Sequence, residues 1–483
     1  MLKILKNIQT KKENNGIYVS LHERAENVNC DLFERVCYSK DAGPISFGIP
    51  DFIVQPRNDK EIQDILRLAN QRRIPVYVRG GGTSAAGGGM PFTDGGLVLD
   101  MTRINKLISI DEFNLTVTVQ AGITWEQLIS ELSMKGFRPR FMGPHSGCSA
   151  VVGGSVATAS IGYGSTKYGS IGHQIIGLKV ILPDGSIIKT GSGALKEGLS
   201  FARYCNGGDF AGLFIGSHGI FGVVYEVTLS IEPIPDNVSF STYVFDKLEN
   251  ALKAAREVQI KCKPEQLVVY CHPDTVSSLT NFEHNNNAGI SVIIDGFSEA
   301  VVSSGFQLLE NVMKEYDGKY IGEKYAKRFW TNRFQVVTSL MKNGMLLQSC
   351  HMIPPSMLLD AVKVAEKYFY ESNRIKDLGI KVFMNATFSD GISSNFVTNI
   401  FCEESNMEIK KDVLGIWEAW MDQLLLTYGG APYWLGYVWN RHLTDHLDNN
   451  YKLFIRKLKQ CIDPNNILNP DSLIDGGSDF EFR

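Results

Sequence analysis

The chain has 483 residues, with 48 Lys+Arg against 52 Asp+Glu for a net charge of −4, and is 44% hydrophobic and 21% charged. These values describe a globular protein with core enough for two or three domains, and they exclude a disordered or fibrous chain. No Lys/Arg run offers nucleic acid a groove, and nowhere do about 18 apolar residues follow one another, as a membrane span requires.

Met1 to Thr10 alternates Lys with Leu and Ile, without the long apolar stretch or small-residue cleavage site of a signal peptide. Further on, Asn58-Asp59-Lys60-Glu61 is a capping box that opens a helix with Ile62, Ile65, Leu66 and Ala69 on one face. Pro75-Val76-Tyr77-Val78 is a short buried strand, and Leu97–Asp100 and Thr116–Gln120 are strand-like. Thr124 with Gln127 caps a second helix, carrying Trp125, Leu128, Ile129 and Leu132 and stopped by Gly136. Pro183-Asp184-Gly185 between two apolar runs is a hairpin signal, and Val223–Ile231 is a further strand. Beyond Pro233 and Pro235 the chain reads as strand 239–245, helix 248–261, strands 267–271 and 290–295, and helix 299–315. A second pass follows, with strand 345–352, helix 356–372 and strand 380–388; this spacing predicts an antiparallel sheet with helices on one face. A short helix over 450–461 leads into Asp463-Pro464-Asn465-Asn466-Ile467-Leu468-Asn469-Pro470.

Two residue types carry the chemical signal. The nine cysteines stand singly, with no Cys-x-x-Cys pair, so no local iron–sulfur or zinc signature exists and a reducing cytoplasm is favoured. Redox chemistry here therefore needs an organic cofactor. The 46 glycines crowd into 80–96, 143–172 and 207–222. In Arg79-Gly80-Gly81-Gly82-Thr83-Ser84, extended by Gly87-Gly88-Gly89, consecutive glycines let backbone N–H groups turn inward as an anion nest, with hydroxyl donors beside them. The loop opens no helix, unlike a Gly-x-Gly-x-x-Gly dinucleotide motif. The second cluster, 143–169, has the density of small residues that lets two backbone segments enclose a flat ring.

In family order come Arg-Gly-Gly-Gly-Thr-Ser at 79–84, Val-Gly-Gly at 152–154, Tyr168-Gly169 and the 178–185 run ending Leu-Pro-Asp-Gly. The 213–223 run through Gly216-Ser217-His218-Gly219 and the closing 463–470 stretch complete the set. Together they resemble the FAD-binding domain of the vanillyl-alcohol oxidase / p-cresol methylhydroxylase superfamily. The pattern is nearest to FAD-linked oxidases of the glycolate oxidase flavin subunit and D-lactate dehydrogenase type. The resemblance implies an α+β fold: a two-subdomain FAD-binding domain of the PCMH type plus an antiparallel-sheet cap domain. The expected division is an arm (1–47), the FAD-binding domain (48–235), a substrate or cap domain (236–440) and a segment returning to the FAD domain (441–483). Gly80, Gly81, Gly82, Thr83 and Ser84 would cradle the pyrophosphate. Gly88, Pro144, His145, Ser146, Gly153, Gly154, Ala157, Gly164, Tyr168 and Gly169 would line the rest of FAD, with Gly222 and Val223 contacting the adenine side or sealing the fold.

The sequence also departs from the family. Where the 2-hydroxy-acid branch carries metal-binding histidines and a Gly-Glu-His-Gly stretch, this chain reads Thr387-Phe388-Ser389-Asp390-Gly391 and Gly430-Ala431-Pro432-Tyr433, so no metal is expected. Gly436-Tyr437-Val438-Trp439-Asn440-Arg441-His442 loosely resembles a run of the alkylphenol-oxidising branch in which Tyr and Arg face the substrate. Cys148 falls where another branch links its flavin covalently, whereas a small buried cysteine is the simpler reading.

The expected reaction moves a hydride from a substrate C–H, foremost the CH–OH of a 2-hydroxy acid, to flavin N5. Arg333 is the candidate carboxylate clamp; His442 is the candidate base, with Tyr433, Tyr437 and Arg441 around it. His218 is expected to be structural and His351 to lie exposed on a strand. Phe329, Trp330, Phe334 and Trp434 suggest an apolar portion in the substrate. The alternatives are an alkylphenol or aromatic alcohol oxidoreductase, or a flavin-bearing electron-relay subunit; a scaffold binding FAD only structurally stands further off. The relay reading leaves room for an iron–sulfur or electron-transfer flavoprotein partner, and the chain for a homo-oligomer; neither nucleic acid nor a membrane span is expected.

Overall fold

The computed structural model describes residues 15–473 apart from 281–285, 343, 403–406, 434 and 471; Met1 to Thr10 and Trp434 thus lie outside the described residues. Three sheets organise them. Strands β1 (Val28–Asn29), β2 (Phe52–Val54), β3 (Val76–Arg79) and β4 (Leu97–Asp100) form the first, in the order β1-β2-β4-β3. β4 lies parallel to both β2 and β3, and its fully buried Leu97-Val98-Leu99-Asp100 run suits a strand covered on both faces. Helix α1 (Asp59–Arg72) links β2 to β3 and buries Ile62, Ile65, Leu66 and Ala69. Its capping box forms: Asn58 Oδ1 accepts from Glu61 N at 3.0 Å, and Glu61 reaches back to Arg57 N at 3.0 Å.

The second sheet holds β5 (Leu107–Asp111), β6 (Thr116–Gln120), β7 (Phe137–Pro139), β8 (Ile175–Ile181), β9 (Ile187–Lys189) and β10 (Val223–Pro233). The turn between β8 and β9 is the expected hairpin, with Gly185 at φ +77°. Helix α2 (Trp125–Ser133) starts at Thr124, whose hydroxyl accepts from Gln127 N at 3.2 Å, and Gly136 follows at φ +79°. Helix α3 (Val152–Ala157) carries Gly153 and Gly154 in a single short turn against β10.

The third sheet has eight strands in the order β14-β11-β13-β12-β16-β17-β15-β18, every neighbouring pair antiparallel. They are β11 (Asn237–Phe245), β12 (Gln266–Tyr270), β13 (Ala288–Gly296), β14 (Lys319–Gly322), β15 (Met345–Ile353), β16 (Lys381–Ser389), β17 (Ser393–Cys402) and β18 (Ala431–Pro432). Helices α4 (Leu248–Cys262), α5 (Glu299–Glu315), α7 (Leu358–Tyr370) and α8 (Met407–Tyr428) cover one face, and α6 (Lys324–Thr331) reaches the other. The two-residue period of a strand then sorts side chains cleanly. Leu267, Val269, Val382, Met384, Ala386, Phe396, Ile400 and Leu347 enter the helix-covered core. Their alternates face away from it.

Sequence reasoning passed over β17 and α8. The 22-residue α8 shows its signal in buried Val413, Trp417, Trp420, Met421 and Leu424, spaced at helical intervals. After α9 (Tyr437–Thr444) and α10 (Asn449–Ile462) the chain returns to the first sheet. There Val76 N donates to Ile467 O at 2.7 Å and Asn469 Oδ1 accepts from Val78 N at 2.9 Å.

A buried charge cluster fastens the second sheet to the third. Arg138 on β7 meets Glu232 at 2.7 Å, Glu265 at 3.3 Å and Asp295 at 2.5 Å, and Lys167 adds a 2.9 Å contact to Asp295. Among the described residues no helix is long and apolar enough to cross a membrane.

Candidate active-site cavity

One large cavity, with about 280 Å³ of water-accessible space, runs from the loop after β3 to the face of the third sheet opposite its four covering helices. At one end Arg79, Gly80, Gly81, Gly82, Thr83, Ser84 and Gly88 form the wall, facing Ala150, Gly153, Gly154 and Ala157. The loop is tied down from behind: Ala42 N donates to Gly82 O (3.0 Å) and Ser84 O (2.9 Å), and buried Asp41 accepts from Gly43 N (2.8 Å) and Gly87 N (2.7 Å). Burial pushes the Asp41 carboxyl up to about 6, against the pull of these donors and of Arg79. Arg79 itself donates to Lys40 O and Gly89 O and lies over the Tyr38 ring.

The absence of side chains here is a packing requirement. A Cβ on Gly80 would stand 2.5 Å from Val151 Cγ2, one on Gly153 2.6 Å from Ala121 Cβ, and one on Gly81 would run into Ser149 O. Two backbone segments therefore approach so closely that only glycine fits.

Two histidines share the wall, His145 half-buried and His218 buried, and loss of solvent pushes both down to about 4, so both stay neutral. Histidine 145 contacts Tyr163 through Nδ1 at 2.7 Å, and the Tyr163 hydroxyl donates to Arg333 O at 3.0 Å. A phenol has one proton to give, so His145 must carry its own on Nδ1, leaving Nε2 an acceptor. His218 Nε2 accepts from Leu435 N at 3.2 Å, and His218 O accepts from Asn469 Nδ2 at 2.5 Å. It fastens the chain's return to the glycine loops, the structural role expected of it.

The other end of the cavity is the third sheet. Gln266, Val268 and Tyr270 of β12, Phe383, Asn385 and Thr387 of β16, Asn395, Val397 and Asn399 of β17, and Leu346, Gln348 and Cys350 of β15 face it, every second residue of each strand. Phe329 and Tyr433 close the sides, with the Tyr433 hydroxyl beside the Cys350 thiol.

Two family models cover most of the sequence: the FAD binding domain matches residues 50–191, and the C-terminal domain of FAD linked oxidases matches 234–473. The chain belongs to the FAD-linked oxidases. It is 35% identical to the glycolate oxidase subunit GlcD of Bacillus subtilis over 234 residues, 48% of each chain, so that alignment spans about half of the relative. With the D-lactate dehydrogenase of Archaeoglobus fulgidus it shares 27% identity over 87% of this chain and 91% of the relative. In fold it matches p-cresol methylhydroxylase solved with substrate bound, at a TM-score of 0.84 and 16% identity over 96% of this chain and 98% of that one. This FAD-linked oxidase is thus an FAD-dependent oxidoreductase of the PCMH fold.

The residues present fit the cofactor. The cradle at 80–84 offers backbone N–H groups and the Thr83 and Ser84 hydroxyls where a diphosphate needs donors, with the Arg79 cation behind. Of the predicted cofactor residues, Gly80, Gly81, Gly82, Thr83, Ser84, Gly88, Pro144, His145, Ser146, Gly153, Gly154, Ala157 and Gly222 all line the cavity.

Others lie off its wall. Gly164, at φ +84°, opens the short Ser165–Tyr168 helix; Tyr168 donates to Glu232 at 2.7 Å in the charge cluster; Gly169 packs on His173. These three build the junction between sheets. Val223 is a core residue of β10, and Val224 takes the wall position instead, as strand alternation requires.

Of the predicted catalytic residues whose side chains are described, only Tyr433 reaches the cavity. Tyr437 and Trp439 are on α9, not on a strand; Tyr437 packs with Phe47 and Phe92 and donates to Pro470 O at 3.0 Å. His442 turns to α8, its Nδ1 2.5 Å from Asp422 Oδ1. Arg441 shares the helix, its side chain lying outside the described part of the chain. Arg333 lies behind the wall, stacked between the Trp330 and Phe334 rings with Nη1 donating to Trp330 O at 3.1 Å. His351 is fully buried on the core face of β15 against Trp439, not exposed. Cys148 is exposed, its thiol 3.7 Å from Phe334 O.

Sequence reasoning missed the polar residues of the third sheet. Their signal was the alternation Phe383, Asn385, Thr387 against Val382, Met384, Ala386, together with Asn395, Val397, Asn399.

Proposed function

We propose that this FAD-linked oxidase dehydrogenates the CH–OH carbon of a small 2-hydroxy acid to the corresponding keto acid. The observation that carries the reading is one continuous cavity whose wall joins the glycine cradle, neutral His145 and the polar face of the third sheet. When bound, FAD supplies the two-electron acceptor for the hydride. His145, with Nδ1–H held by Tyr163, offers Nε2 to the substrate hydroxyl and orients the C–H bond by that hydrogen bond. Tyr433, whose hydroxyl burial holds well above its usual range, stays protonated and donates to the developing carbonyl oxygen. The polar face of the third sheet, with Gln348, Asn385 and Asn399, supplies neutral hydrogen-bonding groups for the rest of the substrate, since the Arg333 guanidinium lies behind the wall. Names among the relatives, glycolate oxidase subunit and D-lactate dehydrogenase, support this substrate class.

A second reading, oxidation of a 4-alkylphenol, is favoured by the aromatic side of the cavity, with Tyr270, Phe329, Phe383 and Tyr433. Anaerobic bleaching of the flavin band near ~450 nm separates the two. D-2-hydroxy acids should bleach it and 4-alkylphenols should not; bleaching by the phenols alone overturns the first reading.

A further inference from the structure

The cavity face of the third sheet carries more hydrogen-bonding capacity than a small hydroxy acid can use. Gln348 and Asn399 are direct cross-strand partners, and Gln348 Nε2 donates to Asn399 Oδ1 at 2.6 Å. Asn399 Nδ2 in turn lies 3.4 Å from Asn385 Oδ1, so three strands contribute to one row of carboxamides. One diagonal step from Asn385, Asn395 Oδ1 is buried on the cavity wall without a hydrogen-bond partner among the described residues, in a residue only 6% exposed. A buried amide oxygen left unpaired is costly, and such groups persist where a ligand completes them. Which amide atom is O and which N is interchangeable, so each carboxamide presents both a donor and an acceptor. A carboxylate or a methyl group cannot satisfy that pattern. A hydroxyl, donor and acceptor at once, can.

We propose that this row is a subsite for a hydroxyl-bearing chain, and that the substrate is a polyhydroxylated 2-hydroxy acid, an aldonic acid of four to six carbons on the order of a small-ligand pocket. This rests on the 2-hydroxy-acid reading above and names its substrate class. The bonds change as there: the C2–H bond breaks as a hydride that carries both electrons to FAD, the C2 hydroxyl gives its proton to His145 Nε2, and the C2–O bond becomes the carbonyl of a 2-keto aldonic acid. The remaining hydroxyls stay intact and bind Gln348, Asn399, Asn385 and Asn395. A site built to pair hydroxyls discriminates strongly against an analogue lacking them, because its own polar groups are then stranded.

The test uses the flavin-loaded protein under anaerobic conditions, with threonate, ribonate, gluconate and galactonate, against D-lactate, glycolate and the alditols of equal length. Rates of flavin bleaching and ligand-induced shifts in thermal melting are both read. The expected result is an aldonate kcat/KM about 100-fold above that for lactate. Asn399→Leu and, separately, Gln348→Met should cut that preference at least ~10-fold with the flavin spectrum retained. Two variants on different strands guard against one failing to fold. Lactate as good as every aldonate, or alditols alone bleaching the flavin, overturns the proposal while leaving alcohol oxidation in place. If none of these compounds bleaches the flavin, the 2-hydroxy-acid reading itself falls. The melting shift then decides the subsite: aldonates stabilising the wild type but neither variant support it, and no shift overturns it.

Discussion

Replacing Arg138 by Met tests how the second and third sheets are held together. Its guanidinium touches Glu232, Glu265 and Asp295, and the carboxylates of Glu265 and Asp295 are essentially inaccessible at 0% and 1% exposure. Burial pushes the Glu265 carboxyl upward, toward its protonated form. At neutral pH Arg138 and Lys167 then face Glu232 and Asp295, with the more exposed Arg140 3.7 Å from Glu232 at the edge of the cluster. Arg138→Met keeps much of the volume but removes the buried cation that Glu232, Glu265 and Asp295 share in a dry junction, a loss of about 3–5 kcal/mol. Arg138→Lys, which keeps the charge and loses the fork, should cost less. Urea unfolding followed by intrinsic fluorescence at several pH values reads the difference between variant and wild type. Without the cation the cluster's carboxyls have folded pKa values above their unfolded ones, so the variant's native state binds extra protons as pH falls. The penalty should therefore be full at pH ~7.5 and shrink toward pH ~5. A deficit below ~1 kcal/mol at neutral pH, or one that does not shrink on acidification, refutes the reasoning.

Gly81→Ala should fold yet purify with at least ~10-fold less flavin, because its Cβ meets Ser149 O and spreads the cradle; full flavin occupancy would contradict the fit. His145, His218 and His351 are pushed down to about 4, 4 and 3 by burial. Their native forms bind fewer protons than the unfolded chain below pH ~6.5, so stability is lost as pH falls through the range toward 4, at about 1.4 kcal/mol per pH unit for each histidine. Denaturant titrations between pH 7 and 5 check it, and a flat profile would mean the rings are hydrated. Tyr163→Phe removes the hydroxyl between His145 Nδ1 and Arg333 O, and a loss of about 1–3 kcal/mol with slower flavin reduction is expected. Unchanged stability and rate would remove His145 from the proposed role.

Local sequence was enough to fix what depends on neighbours along the chain. The Asn58 and Thr124 caps, the Pro183-Asp184-Gly185 turn and the helix at 299–315 stand where the pattern put them, and the helix expected at 248–261 runs one residue further, since caps, turns and periodicity are short-range. The glycine stretches marked the cradle because no other residue tolerates that backbone approach. The catalytic side of the cavity was a different matter. An aromatic and basic run at 433–442 looked like a site, yet α9 turns Tyr437 into an apolar cluster and His442 toward Asp422. Gln348, Asn385 and Asn399 are far apart in sequence and carry no motif. Only the pairing of β15, β17 and β16 in register sets them side by side, and which strand face meets a cavity is decided by the partner packed on the other face.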